Sequence, residues 1–171
     1  EQFYEYPLIF SLLFVAIGAS VIKDKSFNLQ SVVSFVFAGV LLFGVWSLDS
    51  LYHQTSIHKA RNFYGVLSVK DVPINEKIER RLIDGTTSHG SQYLSDECIP
   101  TPLSYYRKNT GVAIAIDALG QDKPLNVGLI GMGAGTLAAY GRKADNYDFY
   151  ELNPAVKHAA EHYFNYLSST L

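Results

Sequence analysis

The chain has 171 residues, a length that suits one or two domains. Its 14 basic and 16 acidic residues leave a net charge of −2, and with no long basic run nucleic acid is not an expected partner. The single cysteine, Cys98, excludes a disulfide framework and a zinc site built on thiolate pairs; it reads as a small packing residue, and no metal site is expected.

The chain starts at Glu1 without a methionine and stops at Leu171 inside a helical-looking run, so it is expected to belong to a longer protein. Seventeen uncharged residues run from Tyr6 to Ile22 and twenty-three more from Ser26 to Leu48. Each is near the ~20 residues that cross a bilayer core. Gly18, Ala19, Ser20, Gly39 and Gly44 punctuate them, as close helix contacts in lipid favour. Tyr4, Tyr6, Trp46 and Tyr52 sit near the ends, where aromatic belts lie. Two transmembrane helices are expected, at about 6–22 and 29–48, within a membrane region 1–52. Glu1 and Glu5 stand where a signal peptide carries basic residues. Lys23 and Lys25 on one side nearly balance Lys59 and Arg61 on the other, so charge alone does not orient the spans.

Residues 53–60 read as a polar linker, in which His53 and His58 are expected to be solvated. From residue 61 to 95 the pattern changes to short strands. NFYGVLSVKDV, Lys77–Ile83 and Thr86–Leu94, with the Asp84-Gly85 turn signal, predict an antiparallel β-meander. Cys98 to Pro102 holds two prolines and is expected to be irregular. Leu103–Leu119 reads as largely helical, although Gly111 interrupts it.

The densest pattern is VGLIGMGAGTLAAYGRKADNYDFYELNP, Val127 to Pro154. It predicts a strand (Leu125–Ile130), a glycine turn, helix A (Gly135–Arg142), a second strand (Tyr147–Glu151) and helix B (Ala155–Leu167). Gly131, Gly133 and Gly135 alternate, and Glu151 lies twenty residues after Gly131. Glycines let a ligand approach bare backbone, and a carboxylate about 20 residues on accepts ribose hydroxyls. The third glycine comes two residues after the second, where a dinucleotide fingerprint places it three after, so a dinucleotide oxidoreductase is disfavoured. Pro154 opens helix B just past the acidic strand end. Both features suit an adenosyl-amino-acid site.

From about Arg61 onward the chain resembles the spermidine synthase-like family, within the S-adenosylmethionine-dependent methyltransferase fold. FYGVLSV with RRLIDGTTSHGSQYL is similar to that family's N-terminal meander, VGLIGMGAGTLAAYGR to its glycine loop, and YELNPAVKHAAEHYF to its acidic strand end and next helix. The preceding apolar segments resemble its membrane-fused branch. The resemblance implies an α/β fold: two N-terminal transmembrane helices, a small β-meander, and a partial Rossmann-like (class I methyltransferase) domain over 96–171. It implies that Gly131, Gly133 and Gly135 line S-adenosylmethionine or its decarboxylated form, that Glu151 holds the ribose, and that His89 and Gln92 face the cofactor from the meander. Tyr105 and Tyr106 would close the same cleft.

The family's glycine-loop aspartate corresponds to Ala134, and its catalytic aspartate to a loop beyond Leu171, so no catalytic residue is assigned. The expected activity is aminopropyl transfer to a small-molecule amine. The alternatives are S-adenosylmethionine-dependent methyl transfer and a non-catalytic nucleotide-binding membrane module. The expected setting is multi-pass in a cell inner membrane, in contact with lipid, with the soluble part cytoplasmic and homo-oligomers possible.

Overall fold

A computed structural model describes residues 5–23, 29–94 and 101–169; Cys98 and Lys25 lie outside them. The chain divides into two compact units, Glu1–Gln54 and Thr55–Leu171.

The first unit is a pair of helices, α1 (Glu5–Lys23) and α2 (Leu29–His53). They run antiparallel: Phe14 stacks near Phe35 with ring centroids 4.6 Å apart, and Trp46 Nε1 lies 3.4 Å from Ser11 Oγ. Gly18 faces the Phe35 ring here: a Cβ would sit 2.8 Å from it, so the ring would have to shift. Large apolar side chains such as Phe10, Leu13, Phe37 and Phe43 are exposed around both helices. Among the described residues only Ser31–Leu51 has both the length and the mean hydropathy (2.1) to cross a membrane. The expectation of two spans is therefore corrected to one candidate among the described residues, by length and composition. In α1 the described apolar stretch is the shorter Glu5–Ser20.

The second unit is mixed α/β. Four antiparallel strands, β1 (Ser56–Asn62), β2 (Gly65–Ile74), β3 (Lys77–Asp84) and β4 (Thr87–Tyr93), form a meander in the order β1-β2-β3-β4. Residues 56–60, expected as linker, are thus the start of β1. His58, expected to be solvated, stacks on Tyr163 at 4.8 Å and places Nδ1 3.1 Å from its hydroxyl. Burial and the neighbouring His158 push the His58 imidazole below its ordinary value. The tight β2–β3 and β3–β4 turns follow from sequence: Asn75 takes a left-handed φ of 54° and Gly85 one of 59°.

A 3-10 turn (Ser104–Tyr106) and α3 (Gly111–Leu119) follow. The long helix expected over Leu103–Leu119 is corrected to these two pieces. Ser104 sits at φ 57° and Thr110 is extended, so the helix starts at Gly111 rather than running through it. Strands β5 (Asn126–Ile130) and β6 (Asn146–Tyr150) pair in parallel, and α4 (Pro154–Tyr163) comes next. Helix A is also corrected. The connection holds only a five-residue 3-10 helix, Thr136–Tyr140, between Gly135 and Gly141. Helix B ends at Tyr163 rather than at Leu167. The parallel pair leaves Asn126, Gly128 and Ile130 of β5 and Asn146, Asp148 and Tyr150 of β6 exposed on one face.

Alternation along β2 turns Leu67 and Val69 to one side of the meander, beside Leu82 of β3, the cross-strand partner of Val69. They pack with Ala134, Ala138, Ala159, Phe164 and Tyr166 in the core. Polar ties fix the seam. Arg80 holds Asp71 through two 2.8 Å bonds and donates to Tyr163 O at 3.1 Å. The Tyr166 hydroxyl lies 2.9 Å from Ser91 O and 3.1 Å from Thr101 O, and burial pushes its phenol far up. At the other end of the parallel pair, Asp145 accepts from Leu125 N (2.8 Å), Arg142 N (3.0 Å) and the Arg142 guanidinium (2.7 Å), joining the entries of β5 and β6.

Two outcomes follow. Leu82 is fully buried, so Leu82→Ala should cost about 2–5 kcal/mol in chemical denaturation, from lost burial and the cavity left behind. The Arg142 guanidinium holds the Asp145 carboxyl well below the ordinary carboxylate range. The stability that it contributes is present above an unfolded value of about 4 and is lost as pH falls towards the folded one. Denaturation midpoints should decline from pH 5 to pH 2, and less steeply in Asp145→Asn.

Candidate functional site

A cavity of about 360 Å³ lies where the C-terminal ends of β5 and β6 meet the meander. That volume falls in the range of small-molecule sites. The glycine turn supplies its floor through Gly131, Met132 and Gly133, and the β6 end supplies Glu151, Leu152 and Asn153. Asp84 and His89 enter from the β3–β4 hairpin, and Tyr64, Tyr105 and Tyr106 complete the rim.

The turn's geometry explains its glycines. Gly131, Gly133 and Gly135 all have positive φ (87°, 55° and 78°), which an L side chain rarely adopts. Their roles then diverge. A Cβ on Gly131 would meet nothing within 4 Å, so bare backbone faces open cavity there. A Cβ on Gly133 would lie 2.5 Å from His89 O, so this glycine lets β4 dock on the turn. Gly135 packs under Leu167, 3.0 Å from its virtual Cβ, and lies outside the cavity.

Glu151 stands just past β6. Its Oε2 accepts from Met132 N and its Oε1 from Asn153 N, both at 2.8 Å. A carboxylate has about four acceptor positions, so about two remain for a ligand. Asn153 in turn caps α4: its Oδ1 accepts from Ala155 N at 3.0 Å and from Asn62 Nδ2 at 2.6 Å, with Pro154 in the first turn.

The structure therefore brings Gly131, Gly133, Glu151, His89, Tyr105 and Tyr106 to one cavity, and it leaves out Gly135 and Gln92. Gln92 is buried, 2% exposed, with Oε1 accepting from Asn165 N at 2.8 Å. Its amide satisfies backbone after α4 rather than facing the cavity. The helix N-terminus expected beside Gly135 is replaced by the short 3-10 helix. Burial, with Tyr105 beside it, pushes the Tyr106 phenol up to about 12, so it stays a protonated donor at neutral pH. Tyr64, Asp84, Met132 and Asn153 line the cavity without a sequence motif that marks them as site residues. The Asn-Pro pair after Glu151 was a signal for the cap, and Asp84 had been read only as a turn residue.

No protein-family model, curated protein or solved structure matches this chain. The site thus stands on its own geometry.

Alanine scanning of the turn should separate the glycines. Gly133→Ala meets both backbone strain and the His89 carbonyl, whereas Gly131→Ala meets strain alone, about 1–2 kcal/mol. In thermal or urea denaturation Gly133→Ala should be the less stable variant by at least about 1 kcal/mol.

Proposed function

We propose that this cavity binds an adenosyl-sulfonium cofactor, and that the chain is part of a membrane-anchored spermidine synthase-like transferase moving an aminopropyl group to an amine. One observation carries the reading: the open backbone at Gly131 and the acceptor-rich Glu151 carboxylate face the same cavity at the ends of two parallel strands. Ligands of parallel α/β sheets bind at this place, outside the carboxyl ends of the strands.

The residues fit such a cofactor. Glu151 would accept from the ribose hydroxyls with the lone pairs that Met132 and Asn153 leave, and these two amides hold the carboxylate still. Gly131 would let the adenosyl part lie against main chain. When bound, the cofactor supplies a carbon activated by the adjacent positive sulfur. An amine acceptor would displace the thioether from that carbon and give its proton to the carboxylate that the family resemblance puts beyond Leu171. The protein's part is to bind and orient the two partners. The exposed apolar surface of α2 supports an anchor in lipid, and the reading places the second unit in the cytoplasm of a cell with that membrane.

Methyl transfer is the second reading, and one observation favours it. Ala134, which takes the place of the aminopropyltransferase aspartate, is 1% exposed, and its Cβ lies 2.7 Å from where a Gly90 Cβ would be. That spot is in the core and holds no charge.

Titration of the purified chain in detergent with S-adenosylmethionine, its decarboxylated form and NAD tests the reading. An adenosyl sulfonium should bind more tightly than NAD, and Glu151→Ala should weaken it about tenfold or more. Undiminished affinity of Glu151→Ala for every adenosyl compound would overturn it. Product masses from the full-length protein with putrescine distinguish aminopropyl from methyl transfer.

A further inference from the structure

The cavity's charge is lopsided. Asp84 and Glu151 both line it, and among the described residues no lysine or arginine does. The two carboxylates are not equivalent. Glu151 faces two backbone N–H groups, whose dipoles offset much of its charge. Asp84 is half-buried at the end of β3, and its carboxylate has no hydrogen bond or ion pair among the described residues. Aromatic faces stand on the same cavity. Tyr105 and Tyr106 pack with ring centroids 4.4 Å apart, and Tyr64 and Tyr105 are about half exposed. An uncompensated carboxylate that shares a cavity with aromatic rings is a receptor for a positive group with little hydration, such as a sulfonium or an alkylammonium.

We propose that Asp84 is the residue through which this cavity selects a cationic ligand, with the Tyr105 ring as the second face of that cation subsite. Glu151 then recognises hydroxyls and Asp84 recognises charge, so the two carboxylates have separable effects. This places the cation on the meander hairpin rather than on the glycine turn, where Ala134 is buried in the core. The inference of cation selection rests on the adenosyl reading only for the identity of the ligand.

The test uses the full chain in detergent and two matched pairs of probes. S-adenosylmethionine and S-adenosylhomocysteine differ by one methyl group and the positive charge on sulfur. Choline and 3,3-dimethylbutanol differ in charge at nearly constant shape. Asp84→Asn should weaken S-adenosylmethionine about tenfold and S-adenosylhomocysteine less than about twofold. Tyr105→Leu should weaken the cations about threefold, in line with a half-exposed cation–π contact. Glu151→Gln should weaken both adenosyl compounds alike, and by more than it weakens choline. Circular dichroism and denaturation midpoints identify any variant that fails to fold, and Asp84→Glu, which keeps the charge, should retain preference for the cation. Wild-type protein that binds choline over its neutral isostere but neither adenosyl compound overturns the proposed cofactor and leaves the cation subsite standing. Equal losses for charged and neutral probes in Asp84→Asn, or no preference for either cation in the wild type, overturn the subsite.

Discussion

The second unit depends on the hold that one carboxylate has on two loops. Glu151 ends β6, and its two oxygens take the amide of Met132 in the glycine turn and the amide of Asn153 at the head of α4. Three segments distant in sequence or direction are thereby fixed at one point. Charge-assisted bonds of this kind are shorter and stronger than neutral ones. The hold passes outward, because Asn153 both caps α4 and accepts from Asn62 at the end of β1. The meander and the parallel pair are thus registered against each other at the rim of the cavity, where a binding site needs rigidity.

The meander is a wall of that cavity as well as a packing partner. β4 lies so close to the glycine turn that side chains at Gly90 or Gly133 would collide with it or with the turn. The apolar face of β2 and β3 buries Leu67, Val69 and Leu82 against Phe164 and Tyr166, and it carries His89 and Asp84 to the cavity on the adjoining hairpin. The burial that stabilises the unit is also what aims the hairpin. Glycines here serve two ends: one opens backbone to the cavity, and the others let chain segments touch.

Alternating glycines, an acidic residue twenty positions on and an Asn-Pro helix start were readable because each is a local requirement of backbone geometry or capping. Strands β3 and β4 were readable for the same reason, since Asp84-Gly85 dictates a tight hairpin. Other features depended on distant partners. β1 carries His58 and Lys59 and shows little alternation; it is a strand because β2 pairs with it and Tyr163 covers His58. Gln92 sat at a plausible distance from the turn, yet a backbone amide 73 residues later claims it. The helix expected after Gly135 has good helix formers in Leu137, Ala138 and Ala139, but it is confined to five residues between two glycines and pinned by the Tyr140 hydroxyl bond to Tyr106 O.

The sequence by itself determined the apolar character of residues 6–22 and 26–48, the positions of the tight turns, and the glycine–carboxylate spacing, because these follow from side-chain solvation and allowed φ values. Only the tertiary structure decided that Asp84 shares a cavity with Glu151 and that Gly135 and Gln92 do not. Such facts depend on which residues meet across the fold, and local chemistry carries no record of that.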